Sequence, residues 1–293
     1  MTIDPGSGLA PPVSLDSLPP AAIARACEAA GVQKAGRDAV TLLVLGGLAG
    51  AFIAFGAISM TVALTGTEAL PWGIQRFFAG AVFSLGLILV VVCGAELFTG
   101  DALMIVARAS GRISTPALLR AWFLVYLGNI AGALGVAALV FLAAHHELAG
   151  GSVGATALRV AAAKAALPET RLFFLSVLCN VFVCLAVWMS LAGRNLVDKV
   201  VVIVPPVMAF VAAGFEHSIA NIYIIFEALA IKHFAAPEFW ASIRSGADAW
   251  PALTVENALR NIAISTIGNL AGGSLLVGLV YWFIYLRPRP PGA

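Results

Sequence analysis

The strongest constraint on this chain is a set of long apolar runs, at roughly 40–64, 74–98, 117–144, 171–191, 200–226 and 256–286. Each is about 20 residues or longer, enough for a helix to cross about 30 Å of hydrocarbon. That predicts an all-α membrane protein with about six transmembrane helices. Composition agrees, at 61% hydrophobic and 11% charged over 293 residues. A soluble domain of this length needs far more charge to cover its surface. The net charge of +2 and the scattered basic residues give no basic face interleaved with aromatics, so nucleic acid is not an expected partner.

Outside the runs, residues 1–18 are polar and Pro-rich and are expected to be disordered. The stretch 19–30 (PPAAIARACEAA) predicts a short interfacial helix, with Pro19 and Pro20 at its start and Gly31 just past its end. The N-terminus lacks the basic region and short apolar core of a cleaved signal peptide. Three units follow: a cytoplasmic N-terminal segment over 1–39, a six-helix pore domain over 40–287, and a cytoplasmic tail over 288–293. An even number of spans puts both termini on one side. That side carries ten Lys and Arg residues against seven on the other, and its loops are short, so both termini are expected in the cytoplasm of an inner (plasma) membrane protein. Trp72, Trp240, Trp250, Tyr281, Trp282 and Tyr285 near segment ends fit an aromatic belt. Cys27, Cys93, Cys179 and Cys184 show no CxxC or Cys/His spacing and are expected to be small buried apolar side chains.

The chain echoes itself. Span three holds Leu127-Gly128-Asn129-Ile130-Ala131-Gly132, and span six holds Ile267-Gly268-Asn269-Leu270-Ala271-Gly272. One span earlier, each half places an acid and turn-prone residues inside an apolar run: Ala95-Glu96-Leu97-Phe98-Thr99-Gly100-Asp101, and Phe215-Glu216-His217-Ser218-Ile219-Ala220-Asn221 after Gly214. Three spans per half force the second half to run inverted, a 3+3 plan in which spans two and five are interrupted. Irregular backbone at membrane depth survives only where protein or a water-filled cavity satisfies it, so the breaks point to the permeation site.

His217 beside Glu216 is the most informative residue. An ionisable group at this depth faces a cavity or a partner, and an imidazole exchanges protons near neutral pH. The alternative is a packed neutral histidine bonded to backbone. Thr99-Gly100-Asp101 reads as a loop that frees backbone N–H groups for an anion, or as a kink without a ligand. Lys164, in the long connection between spans three and four, raises local anion concentration if it lies at a pore mouth, and is otherwise a solvated loop lysine. Glu96 and Glu216 are expected to bond freed backbone at the breaks, with acid–base work as the alternative. His145, His146 and His233 are expected at the interface. No clustered metal ligands or cofactor motif appear, so no cofactor, no metal site and no enzymatic activity are expected.

These stretches resemble the formate/nitrite transporter family, most closely its formate channels: LGGLAGAFIAFGA (45–57), CGAELFTGDALMIVARASGRI (93–113), LCNVFVCLAVWMSLAGRNLVDK (178–199), FEHSIANIYII (215–225) and TIGNLAGGSLLVGLVYWFIYLR (266–287). The resemblance runs from about residue 30 to 287. It implies an aquaporin-like fold assembled as a homopentamer, with a pore in each subunit and no redox catalysis. It also implies that His217 is the central pore histidine and Thr99 the threonine on the loop breaking span two. Asn221 closes the histidine motif, and Asn180 is a pore-lining asparagine. Phe83 and Phe210 form the periplasmic constriction, Leu97 the cytoplasmic slit, and Lys164 a vestibule lysine. Gly100-Asp101 departs from the small hydroxyl residue of formate channels and resembles other branches, including nitrite ones.

The expected function is a channel or transporter for small monovalent anions. Formate leads, and nitrite, hydrosulfide, acetate and lactate also fit. Lys164 and half-helix N-termini would draw in the anion, and His217 would protonate it as it loses water. The competing expectations are passage of the bare anion, a neutral-solute channel, and a membrane-bound metal-binding protein or enzyme. A cytoplasmic partner would be sought at the N-terminal segment.

Overall fold

The computed structural model describes residues 16–288, and the expectations for residues 1–15 and for the tail beyond 288 lie outside them. The described residues are helical, with no strand among them. The chain opens with α1 (Pro20–Ala35), then α2 (Ala39–Leu64) and α3 (Trp72–Cys93). A short helical run follows: α4 (Phe98–Asp101), a tight turn Ala102–Met104, and α5 (Ile105–Ala109). Next come α6 (Thr115–Leu142), α7 (Ser152–Ala165), α8 (Glu169–Ser190), α9 (Leu196–Ala212) and α10 (Ser218–Phe234). The chain closes with α11 (Pro237–Ser242), α12 (Val255–Ala271), wide π-type turns over Gly272–Leu279, and α13 (Val280–Tyr285).

Five helical stretches are long and apolar enough to cross a membrane: Ala39–Leu64, Trp72–Cys93, Thr115–Leu142, Glu169–Ser190 and Val255–Tyr285. The apolar run at 200–226 is instead divided between α9 and α10, 17 residues each. Helix starts carry the expected caps. Asp38 accepts the Thr41 N–H at 2.9 Å, Ser114 the Ala117 N–H at 3.3 Å, and Asn195 with Asp198 forms a capping box.

Two of the predicted features differ. The N-terminal helix runs to Ala35, with Gly31 inside it. A Cβ at Gly31 would lie 2.9 Å from the Ala107 Cβ, so the glycine is there for close packing of α1 on α5. Cys93 is exposed, and only Cys27, Cys179 and Cys184 are buried.

The packing repeats. In the first half α2 packs on α6 and α3, in the second α8 packs on α12 and α9, and α3 meets α9 between them. Glycines set the closest crossings. A Cβ on Gly132 would strike the Gly47 carbonyl, and one on Gly272 would strike the Val177 carbonyl. Where lipid removes the hydrophobic force between helices, such close backbone approach is what holds them together.

Candidate functional site

Two short irregular stretches meet in the middle of the bundle. After α3, Gly94 turns left-handed (φ 79°), and the chain stays extended until α4 starts beyond Leu97. After α9, Gly214 does the same (φ 75°), and α10 starts beyond His217. Such φ values are open to glycine at little expense. Each turn leaves backbone groups without helical partners inside an apolar bundle, where an unmet group costs about 1–3 kcal/mol.

One asparagine per half meets that need. Asn129 on α6 donates to the Gly46 carbonyl (2.8 Å) and the Glu96 carbonyl (2.9 Å) and accepts the Phe98 N–H (2.9 Å). Asn269 on α12 donates to the Ser176 carbonyl (2.7 Å) and the Glu216 carbonyl (2.9 Å) and accepts the Ser218 N–H (2.8 Å). The Glu96 N–H reaches the Leu45 carbonyl at 3.2 Å, and the Glu216 N–H reaches the Leu175 carbonyl at 3.4 Å. The two halves use the same hydrogen bonds in the same order, so Leu97 and His217 occupy equivalent places.

This arrangement corrects the expectation for the two glutamates. Their carboxylates take side-chain partners, not backbone. Glu216 Oε1 accepts from Lys164 Nζ at 2.8 Å and Oε2 from Asn221 Nδ2 at 2.7 Å. Glu96 is paired with Lys34 at 2.6 Å and with Arg37. The amide of an asparagine both donates and accepts, which the backbone at a break requires and a carboxylate cannot provide.

His217 is buried at the start of α10. Its Nδ1 accepts the Ala220 N–H at 3.2 Å, and its Nε2 lies 2.9 Å from Thr99 Oγ1. With Nδ1 accepting, the neutral ring carries its proton on Nε2 and donates it to the Thr99 hydroxyl. Thr99 is itself held through its carbonyl by Asn180 Nδ2 (3.1 Å) and Cys184 Sγ (3.4 Å).

Two cavities approach this pair from opposite sides. One, of about 310 Å³, is lined by Arg76, Arg159, Lys164, Arg171, Glu216, His217 and Asn221 among others. The other, of about 240 Å³, is lined by Lys34, Arg37, Glu96, Leu97, Gly100 and Asp101 among others. A void of only about 10 Å³ lies between them, bounded by Ile53, Phe83, Leu87, Leu97, Val183, Val207, Phe210 and His217. Phe83 and Phe210 meet edge to face at 5.9 Å, and Phe210 stacks on the His217 ring at 6.2 Å. The arrangement is two polar chambers separated by a narrow apolar neck, with one imidazole in its wall.

Most expected site residues therefore come together. His217, Phe83 and Phe210 border both the first cavity and the neck, while Leu97 borders the second cavity and the neck. Lys164, Asn221, Gly214 and Glu216 line the first cavity, and Glu96, Gly100 and Asp101 the second. Lys164 belongs to helix α7, not to a loop. Asn180 is a correction: it lines neither cavity and binds the carbonyls of Thr99 and Asn269. His146, just past the end of α6, is buried and stacks on Phe141 at 5.1 Å. Burial pushes the His146 imidazole below the usual histidine range.

Sequence reasoning missed the paired roles of Asn129 and Asn269, although the repeated Gly-Asn motif marks both. It also missed Lys34 and Arg37 in the second cavity and Arg76, Arg159 and Arg171 in the first. Arg76 donates to the Val211 and Ala212 carbonyls at the end of α9, and Arg159 pairs with Glu68 at 3.3 Å. Among the described residues no group of His, Cys, Asp and Glu side chains is arranged to hold a metal ion.

Comparison with known proteins agrees with this geometry. The family described as formate/nitrite transporter matches residues 21–283. The formate channel FocA of Escherichia coli K12 is 46% identical over 273 residues, covering 93% of this chain and 96% of that protein. The formate channel BtFdhC of Bacillus thuringiensis is 32% identical over 274 residues, covering 92% and 96%. Among solved structures, a pentameric formate channel with formate bound superposes with a TM-score of 0.81 at 39% identity, covering 85% of this chain and 98% of that one. An FNT family ion channel superposes with a TM-score of 0.77 at 28% identity, covering 91% and 99%.

Proposed function

The chain belongs to the formate/nitrite transporter family, and on that premise we propose that it carries formate through a pore in each subunit of a homopentamer, with His217 passing a proton to the anion. It is a membrane transporter of small anions, as its relatives are, and not an enzyme.

The observation that carries the reading is His217, held by Thr99 and lining the narrow neck between two charged chambers. An anion entering that neck sheds water, at an idealised Born penalty of order 20 kcal/mol. Protonation removes most of it. The first chamber presents four basic side chains, Arg76, Arg159, Lys164 and Arg171, against one carboxylate, Glu216, and so concentrates anions beside the imidazole. For the ring to give up a proton it first becomes imidazolium by taking one on Nδ1, which breaks the Ala220 bond. The arriving anion is the counter-charge such a cation needs. The anion then takes the Nε2 proton and crosses past Phe83, Phe210 and Leu97 as neutral acid. Thr99 holds the ring at the required angle, while Asn180, Gly100 and Gly214 keep the breaks in shape. Asn221 steadies Glu216, and Asp101 with Glu96 shapes the far chamber.

The finer architecture forms part of the same proposal. Six spans form an aquaporin-like inverted 3+3 repeat, α9 and α10 being the two parts of span five and α3 with α4–α5 the two parts of span two. Residues 40–287 form the pore domain. The segment 1–39, including the interfacial helix, and the tail 288–293 lie in the cytoplasm of the inner membrane. The Lys164 chamber then opens outward and the Lys34 chamber inward.

A second reading, passage of the bare anion with a permanently neutral ring as polar lining, draws on the Ala220 bond to Nδ1. The test is flux into liposomes for formate, nitrite, hydrosulfide, acetate and lactate at two pH values, with and without His217→Phe. Acid-stimulated formate uptake that disappears in the variant supports the proposal. Uptake that stays acid-stimulated in His217→Phe overturns it, and net current without proton movement favours the second reading. Faster glycerol than formate flux would reject anion transport altogether.

A further inference from the structure

The two breaks correspond residue by residue, Glu96 with Glu216, Leu97 with His217 and Asp101 with Asn221, and the last pair differs in one atom. In the outer half the Asn221 amide donates to Glu216 Oε2 at 2.7 Å and to Asn261 Oδ1 at 2.8 Å. In the inner half the equivalent side chain is a carboxyl, gathered with that of Glu96 on the Lys34 ammonium. Both acids are buried at 2% exposure. Lys34 Nζ sits 2.5 Å from Asp101 Oδ1 and 2.6 Å from Glu96 Oε2, and Arg37 takes Glu96 Oε1. Asp101 Oδ2 has no donor among the described residues, and Glu96 Oε2 has the ammonium beside it but no directed hydrogen bond. An ionised carboxylate has nothing to donate, so two ionised carboxylates drawn to one ammonium repel each other and leave the place of the Asn221 N–H donor unfilled.

We propose that Glu96 and Asp101 bind one proton between their carboxyl oxygens, and that this proton is the donor that the Asn221 amide supplies in the outer half. The groups facing the pair are few. α1 contributes Lys34, Arg37 and the Cys27 thiol, α6 the neutral Trp122 indole on the Asp101 carbonyl (2.8 Å), α8 the Cys184 thiol, and His217 stands beyond Thr99. No other charged side chain lines the inner chamber among the described residues. Protonated, the four ionisable residues of the chamber sum to +1, and deprotonated they sum to zero. Resting on the weak-acid reading above, an acid leaving the neck gives its proton to Asp101 Oδ2. The acid O–H bond breaks, the Asp101 O–H bond forms, and the free anion remains in the chamber to leave. The proton then passes to water at the inner mouth.

The site can be tested without any transported ion. Infrared difference spectra of the full-length protein in lipid discs, taken across a pH titration in H₂O and D₂O, report the carbonyl stretch of a protonated carboxylic acid. Glu227 is also buried and has no cation partner among the described residues, so Glu227→Gln serves as the background. A titrating, deuterium-sensitive band should persist in Glu227→Gln and vanish in both Asp101→Asn and Glu96→Gln. Asp101→Asn should fold, because the other half already uses that amide. A band that survives Asp101→Asn overturns the site. In flux measurements, the change of inner-side formate affinity between pH 6 and pH 8 should shrink from about fivefold to less than about twofold in Asp101→Asn. An unaltered pH dependence with the band lost would overturn the transport role. Absence of formate flux in the unmodified protein would instead reject the substrate reading and leave the infrared result standing.

Discussion

The two chambers share one backbone plan and carry different charge balances. In each, a left-handed glycine ends a helix, an asparagine holds the next peptide groups, a glutamate follows the glycine, and a lysine from a flanking helix reaches that glutamate. Yet the Lys164 chamber has four basic groups against one acid, while the Lys34 chamber has two against two. Repetition fixes where the backbone breaks. A few side chains that escaped the repetition, His217 for Leu97 and Asn221 for Asp101, give the two mouths different chemistry. The same scaffold thus presents a strongly cationic entrance on one side and a balanced, protonatable one on the other.

The comparison breaks first if the shared plan is not needed on both sides. Asn129→Leu and Asn269→Leu each leave three buried backbone groups without partners, so each should destabilise the fold by about 3 kcal/mol or more. Thermal unfolding in detergent reads this, and a large loss in one variant with none in the other would show that the halves are not held alike. The next effect is on chemistry. His217→Phe should lower acid-stimulated formate uptake about 100-fold, the scale of a positioned proton donor, whereas Leu97→Phe, its counterpart in the other half, should only narrow the neck and slow flux at every pH alike. The pH–rate profile separates the two.

Smaller effects sharpen the charge difference. Lys164→Ala should weaken anion affinity on the Lys164 side about tenfold, measured as the concentration giving half-maximal flux from that side. Lys34→Ala should affect affinity on the Lys34 side mainly through Glu96 and Asp101, which lose their shared cation. Raising ionic strength from about 0.1 M to 1 M shortens the Debye length from about 10 Å to about 3 Å. It should therefore slow entry through the Lys164 chamber more than entry through the Lys34 chamber, by about two- to threefold. Equal salt sensitivity from both sides would mean that the excess of basic side chains in the Lys164 chamber does not steer anions.

Much of this was legible in the chain. The apolar runs predict the helices to within a few residues at α2, α6 and α8, because helix length is dictated by hydrocarbon thickness and not by neighbours. The paired glutamates among turn-prone residues locate both breaks, since an acid inside an apolar run needs a cavity or a partner, and the repeated Gly-Asn motif one span later ties the two halves together. What misled was partner choice. Glu96 and Glu216 have the right chemistry to cap backbone, but Lys34 and Lys164 arrive from α1 and α7, helices distant in sequence, and a buried carboxylate pairs with a cation when one is in reach. Asn180 lies in an apolar helix and looks like pore lining, yet that face of α8 turns toward the Thr99 carbonyl.

By itself, then, the sequence determined that the chain is helical, that it is built for lipid, where its backbone leaves the helix, and which family it belongs to, because these follow from local hydropathy, glycine placement and motifs contiguous in the chain. Only the tertiary structure decided which charge meets which, that the Nδ1 of His217 is tied to its own helix while Nε2 meets a threonine 118 residues away, and that two chambers stop short of one another at a neck of Phe83, Phe210 and Leu97. The reason is physical. Cavities and ion pairs are made by side chains from segments far apart in the sequence, and their energies depend on distances of a few ångströms that no local pattern contains.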